Sequence, residues 1–316
     1  MATFSAATFS SARYATFRPA YPTTLFTHHL LPYHQGARNV LLDLGCGPGT
    51  VTRPLSVHFS RTIGTDPSEG MLNTARELTP EKDCPTVTYR RANAEQLAFL
   101  KDGEVDMAVA AQAVHWFDHA AWWAEMARVV RKGGTVAVWG YKDCMIPRAP
   151  KASRVLSEYT HGKDKLGPYW SQPGRSYVQG RLRVIRPAEK EWEAVKRWEF
   201  EPKWEVPVTE EEESWREEVE EGDGKEGFGE LVNRGEGLMR KTVTLGGMDS
   251  YIRTWSCTHA WKEAFPEAKS KAEGGQGDIV DELMEKMKEA EGWGEGWRDM
   301  FIEIAWGHGV ILARRK

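Results

Sequence analysis

The sequence predicts an α/β fold, a doubly wound and mostly parallel sheet with a helical and irregular cap over its carboxyl edge. Three observations carry the prediction. The stretch VLLDLGCGPGT at residues 40–50 is a short apolar run, as expected of a strand covered on both faces, that enters glycines at Gly45, Gly47 and Gly49. Strand-like and helix-like segments then alternate up to residue 141, which argues for right-handed crossovers between parallel strands. Beyond residue 145 the composition changes: residues 157–177, with GPYWSQPGR at 167–175, pack glycine, proline and aromatic residues densely, the mark of an ordered, irregular insertion rather than a helix.

The glycine turn sets the expected site. Glycine allows backbone angles closed to other residues and lets a ligand approach the main chain. The helix after it presents unpaired N–H groups. Together they make a cradle at the carboxyl end of a strand, where open α/β sheets bind ligands. Asp43 lies two positions before Gly45, and Asp66 ends the next strand-like run, 62–66, where it is placed to take ribose hydroxyls. The nicotinamide fingerprint wants G-x-G-x-x-G, whereas the spacing here is G-x-G-x-G. A dinucleotide site, or a turn that merely joins strand to helix, is the competing reading.

Composition sets bounds. At 316 residues the chain can hold one large domain or two small ones. Its 14 tryptophans exceed ordinary usage, so some are expected in a pocket wall. A net charge of −4 argues against a nucleic-acid footprint. Cys46, Cys84, Cys144 and Cys257 show no metal-ligand spacing and read as free thiols in a reducing compartment. No apolar run approaches the roughly 20 residues of a membrane span, and no basic-then-apolar leader is visible. The expectation is a cytoplasmic protein, monomer or homodimer, with no metal, no membrane partner and no nucleic acid.

In order along the chain, residues 1–39 form an N-terminal arm ending in a helix at 25–33. Residues 50–59 form the helix after the glycine turn. Another begins after Asp66, with Ser68 or Asp66 as its cap. Residues 86–91 alternate and are β-branched, a third strand. A fourth, 105–112, ends in QAVHWFD, where Gln112 can hydrogen-bond and His115 can carry a proton. Trp116 and Phe117 can pack on an aromatic ligand or shield a cation. Residues 119–131 read as a helix with Trp122, Met126, Val129 and Val130 inward, and 135–141 as a fifth strand. Residues 189–208 suggest a strand, 209–230 a solvated acidic loop or frayed helix. Tyr251, Trp255 and His259 fall four apart on one expected helical face, with Arg253 elsewhere on the wheel. Residues 278–291 are amphipathic, and 301–312 form the last strand.

The pattern LDLGCGPG resembles motif I of the class I, Rossmann-like methyltransferases that use S-adenosyl-L-methionine. Further pieces are similar to one branch of that family, the fungal trans-aconitate 3-methyltransferases and their cantharidin-detoxifying relatives. They are Thr3-Phe4-Ser5 with the arm at 13–22, VHWFD at 114–118, WGY at 139–141, 166–175, YIRTW at 251–255 and 302–315. The resemblance spans nearly the whole chain and fails chiefly at 209–230. It implies a lid at 1–39, an S-adenosylmethionine-binding core at 40–145, a substrate cap at 146–300 and a final sheet strand at 301–316. It implies cofactor contacts by Tyr14, Asp43, Gly45, Cys46, Gly47, Asp66, Ala94, Glu95, Gln112, Trp116 and Phe117, with S-adenosyl-L-homocysteine as product.

The expected activity is methylation of a carboxylate on a small, trans-aconitate-like acid. Arginine's planar fork suits such a substrate, and Arg175 and Arg253 are the first candidates, with Arg18 behind them. Tyr21, Tyr169, Trp170 and Trp255 would wall the pocket. A carboxylate is already ionised near pH 7 and needs no base. A hydroxyl acceptor would need one, and His115 or His259 would serve. Methylation of another small molecule, or a non-catalytic cofactor-binding protein of the same fold, are the alternatives.

Overall fold

The computed structural model describes residues 11–210, 230–236 and 239–316, the strand at 230–236 by its backbone alone. The Thr3-Phe4-Ser5 piece and most of the acidic loop, 211–229, lie outside the described residues. Among the described residues the strands are β1 (Val40–Leu44), β2 (Arg61–Asp66), β3 (Val87–Arg91), β4 (Val105–Ala111), β5 (Val130–Met145), β6 (Trp192–Glu201), β7 (Glu230–Glu236), β8 (Met239–Thr244) and β9 (Phe301–Arg315). They form one sheet in the order β3-β2-β1-β4-β5-β9-β6-β7, with β8 also paired to β9. Strands β1 to β5 are mutually parallel, whereas β9 runs antiparallel to β5, β6 and β8. The helices are α1 (Ser11–Phe17), α2 (Thr52–Ser56), α3 (Glu69–Glu77), α4 (His119–Val129), α5 (Pro150–His161), α6 (Gly174–Gln179), α7 (Leu245–Ile252), α8 (Ser256–Ala264) and α9 (Ile279–Glu291).

Successive strand residues point to opposite faces, and the sheet is covered on both. Leu42, Leu44, Val136 and Val138 pack with Trp122, Met126 and Val129 of α4. Their neighbours Leu41, Met107, Ala137 and Trp139 pack with Leu55 and with Leu25, Phe26 and Leu30. This double coverage is why β1 is buried at every position. A third apolar body joins α5, α7 and α9 through Leu156, Met248, Ile252, Leu283 and Met287, and reaches the sheet at Trp306. Trp122, Trp139, Trp192 and Trp306 are fully buried, so much of the tryptophan excess builds core rather than pocket.

Several local expectations change. The helix expected at 50–59 is the five-residue α2. Pro54 supplies no N–H, and Ser56 turns its hydroxyl onto the Arg53 carbonyl at 2.8 Å. Residues 25–33 are helical as expected, but they belong to the core through Leu25, Phe26 and Leu30 rather than to a free arm. The irregular insertion is narrower than expected, because Pro150 opens α5 and Ala152, Leu156 and Tyr159 bury one helical face. The face expected to carry Tyr251, Trp255 and His259 is broken between α7 and α8. There the Thr254 hydroxyl bonds the Tyr251 carbonyl (2.6 Å) and the Thr258 hydroxyl bonds the Ile252 carbonyl (3.0 Å).

That break is held by Arg253, which reaches Asp249 (2.7 Å), Asp278 (2.5 Å) and Asp281 (3.3 Å). It ties α7 to the start of α9. Removing the cation strands Asp278 and Asp281 and leaves Asp249 only Arg298, 3.6 Å away, so Arg253→Met is expected to cost about 3 kcal/mol of stability. A lowered denaturant midpoint with unchanged S-adenosylhomocysteine affinity is the expected result. Among the described residues, no helix is long and apolar enough to cross a membrane.

Candidate active site

The carboxyl ends of β1, β2, β4 and β5 meet two confluent compartments. The first, about 820 Å³ counted with the solvent at its mouth, is lined by Asp43, Gly45, Cys46, Gly47, Asp66, Ser68, Met71, Gln112, Trp116, Phe117 and Tyr141, with Tyr14, Arg18 and Tyr21 above them. The second, about 610 Å³ on the same basis, shares Tyr14, Arg18, Gln112, Trp116 and Tyr141 and adds His115, Lys142, Asp143, Trp170, Arg175, Tyr251 and Trp255.

In the first compartment the glycine turn does what its composition suggested. Gly45 has φ +63°, and a Cβ there would fall 2.6 Å from the Ala113 Cβ, so both conformation and space require glycine. Gly47 has φ +54° and faces open space. Asp66 is aimed by two backbone donors, Ser68 N–H to Oδ1 (2.8 Å) and Gly47 N–H to Oδ2 (3.0 Å). Ser68 caps α3 through its hydroxyl. Asp43 is 1% exposed. Its Oδ2 accepts from the Thr52 hydroxyl at 2.6 Å, while its Oδ1 is buried without a partner. Burial, with the Asp66 charge adding to it and the Thr52 bond opposing, pushes the Asp43 carboxyl up to about 7. A buried, half-satisfied acid of this kind has room for a proton or a cationic group.

Gln112 is positioned otherwise than expected. It sits at φ 51°, and its amide clasps the backbone of Tyr141, accepting from Tyr141 N–H (2.7 Å) and donating to Tyr141 O (3.0 Å). Its side chain therefore splices β4 to β5 while lining both compartments. Ala94 and Glu95 line neither compartment. Ala94 is core, and Glu95 accepts from the Asp118 N–H at 2.9 Å, fixing the turn that carries Trp116 and Phe117.

The second compartment collects Arg18, His115, Trp170, Arg175 and Trp255 of the expected acceptor residues. Arg18 donates to the Tyr141 hydroxyl (3.2 Å) and the Thr254 carbonyl (2.9 Å), lies 4.8 Å from the Tyr14 ring, and keeps a buried Nε without a partner. Arg175 lies 4.0 Å over the Trp170 ring and is paired with Asp143. Burial, then the charges of Arg18 and Arg175, lower the His115 imidazole to about 3, and its buried Nδ1 has no partner. Tyr21 stands edge-on to Trp139 at 5.6 Å and belongs to the first compartment.

Three expected acceptor residues stand outside. Arg253 is consumed by its carboxylates. Tyr169 packs on Phe265, 6.2 Å between ring centres. His259 sits on α8, 3.4 Å from Glu263, and lines neither compartment. Trp255 is the N-cap of α8 with extended backbone, so its side chain leaves the wheel on which His259 lies. Tyr141, Asp143 and Tyr251 were not anticipated. Tyr141 and Asp143 sit toward the carboxyl end of β5, a position that could have marked them.

Residues 42–138 match the family model described as a methyltransferase domain. Over this core the chain is similar to S-adenosylmethionine-dependent methyltransferases. A probable S-adenosylmethionine-dependent methyltransferase of Saccharomyces cerevisiae, CRG1, is 26% identical over 282 residues, covering 89% of this chain and 88% of the yeast protein. A candidate methyltransferase of Dictyostelium discoideum is 30% identical over 179 residues, 56% of this chain and 64% of that protein. Among solved structures, a candidate type II methyltransferase from Anaeromyxobacter dehalogenans matches with a TM-score of 0.63 at 26% identity, covering 94% of this chain and 98% of the other.

Proposed function

We propose that the chain is an O-methyltransferase that esterifies a carboxylate of a small organic acid. The first compartment suits S-adenosylmethionine: the unpartnered Asp43 oxygen would take the methionine ammonium, and Asp66, aimed by its two N–H donors, the ribose hydroxyls. Bound there, the donor supplies a methyl group on a sulfonium, with S-adenosylhomocysteine as the leaving group.

The observation that carries the acceptor class is Arg18. It stands where the two compartments meet, its recorded hydrogen-bond partners are neutral oxygens, and the described residues give it no carboxylate. A planar guanidinium with an unpaired, buried N–H is suited to an acid. His115 supports the same reading. An imidazole held at about 3 is neutral and weakly basic at pH 7, which suits an acceptor that arrives ionised better than a hydroxyl whose proton must be removed. What remains for the protein is alignment and exclusion of water by Tyr14, Trp116 and the cap, and positioning of bound reactants can supply about 7–11 kcal/mol.

Incubation with methyl-labelled donor and a panel of small acids, trans-aconitate among them, is expected to yield a base-labile methyl ester. Label appearing only in alkali-stable ethers, or in no acid of the panel, would overturn the reading.

A further inference from the structure

The charge balance of the second compartment narrows the acceptor, and the argument rests on the carboxylate reading just given. Four of its lining residues carry formal charge: Arg18, Lys142, Asp143 and Arg175. Three of them are engaged by other charges. Asp143 pairs with Arg175, whose side chain is 6% exposed. Lys142 sends its ammonium toward Glu201 on β6, 3.5 Å away. Asp143 is held a second time by His161 Nε2 at 3.0 Å, and His161 Nδ1 faces Gln179 Nε2 at 3.1 Å. An amide N–H donating to Nδ1 leaves the imidazole proton on Nε2, directed at Asp143. His161 therefore orients Asp143, whose carboxylate is already paired with Arg175.

Among the described residues, Arg18 is left as the one lining cation without a carboxylate. The remaining wall is largely aromatic: Tyr14, Trp116, Tyr141, Trp170, Tyr251 and Trp255. Two of these already hold one another, with Tyr251 edge-on to Trp255 at 5.6 Å, so they form a stiff apolar surface. A pocket with one available cation, a fixed carboxylate and aromatic walls matches one negative charge on an apolar body. A second carboxylate would meet Asp143 or be buried unpaired, which is costly.

We infer that the acceptor is a monocarboxylic acid with an apolar or aromatic body, and that Asp143, held by His161, rejects di- and tricarboxylates by occupying Arg175. Asp143 is thus a specificity-determining residue and His161 a positioning residue behind it. The methyl ester formed is uncharged, so it loses its hold on Arg18 and is free to leave.

The test compares kcat/KM for acids of matched length, octanoate against suberate and phenylpropanoate against its ring carboxylated analogue. The wild-type protein is expected to prefer each monoacid by about 10-fold or more, the scale set by one unpaired buried charge. Asp143→Asn, checked for folding by S-adenosylhomocysteine binding, is expected to shift the ratio at least about 10-fold toward the diacid by releasing Arg175. A wild-type preference for the diacids or for trans-aconitate overturns this inference and leaves carboxylate methylation standing. A ratio unchanged in a folded Asp143→Asn protein removes Asp143 from the account. Transfer to no acid at all overturns both readings.

Discussion

Replacing Asp43 by asparagine is expected to stabilise the ligand-free protein and to abolish donor binding, two effects of opposite sign from one atom. Burial holds the Asp43 carboxyl at about 7 in the folded state, against about 3.9 in an unfolded chain. A carboxyl raised on folding binds more protons in the native state than in the unfolded one between those values. Stability therefore falls as pH rises from about 4 to about 7, and the cost is complete above that window at roughly 4 kcal/mol. Asparagine keeps the shape, can retain a bond to Thr52, and carries no charge to strand. At pH 8 the variant should have the higher denaturant midpoint, and the advantage should vanish as pH approaches 4. Binding runs the other way. The methionine ammonium requires the ionised acid, so wild-type affinity for S-adenosylhomocysteine should weaken about 10-fold for each pH unit below 7, and the variant should lose at least about 100-fold at pH 8. Calorimetry in buffers of different ionisation enthalpy should show a proton released on binding near pH 6. Equal midpoints for the two proteins across this range, or binding untouched by the substitution, would remove Asp43 from its assigned place.

The proposed donor half of the site was legible in the sequence because its parts are local. Asp43, Gly45 and Gly47 belong to one strand and its turn, and Asp66 ends the adjacent parallel strand, paired in register with β1. A strand burying both faces reads as an apolar run, and the turn after it reads as glycines, so pattern and geometry coincide. The proposed acceptor half was legible in composition, but two of its arginines are partnered otherwise than their motifs suggested. Arg175 and Arg253 stand in the narrowest motifs of the cap, yet each is engaged by carboxylates far along the chain. Asp143 lies 32 residues before Arg175, and Asp278 lies 25 residues after Arg253. Whether a guanidinium is available is largely a property of such tertiary partners; the Asp249–Arg253 pair, four residues apart, is the part that local spacing encodes. Arg18, ranked behind them, is the one whose partners are neutral. His259 failed for a related reason: its spacing presumed a continuous helix, and two threonine hydroxyls end it.

Arg18→Met is the substitution expected to cost the acceptor most. Truncating one side of a desolvated charge pair typically loses about 2–5 kcal/mol, or roughly 30- to 5000-fold in kcat/KM for the acid. The loss should appear mainly as a raised KM for the acid, because the guanidinium would hold the carboxylate in the bound ground state as well as in the transition state. Arg18→Lys keeps the charge and loses the planar fork that spans the Tyr141 hydroxyl and the Thr254 carbonyl, so recovery should be partial. S-adenosylhomocysteine affinity discriminates the two anions that could meet this arginine. If Arg18 serves the acceptor, the affinity of the methionine variant should stay within about 3-fold of wild type, the ordinary spread for a residue that does not touch the ligand. If it instead collapses while KM for the acid is unmoved, Arg18 holds the donor's own carboxylate and the acceptor's anchor lies elsewhere. Arg18 lines both compartments, and the donor and acceptor measurements on the same variant decide between the two.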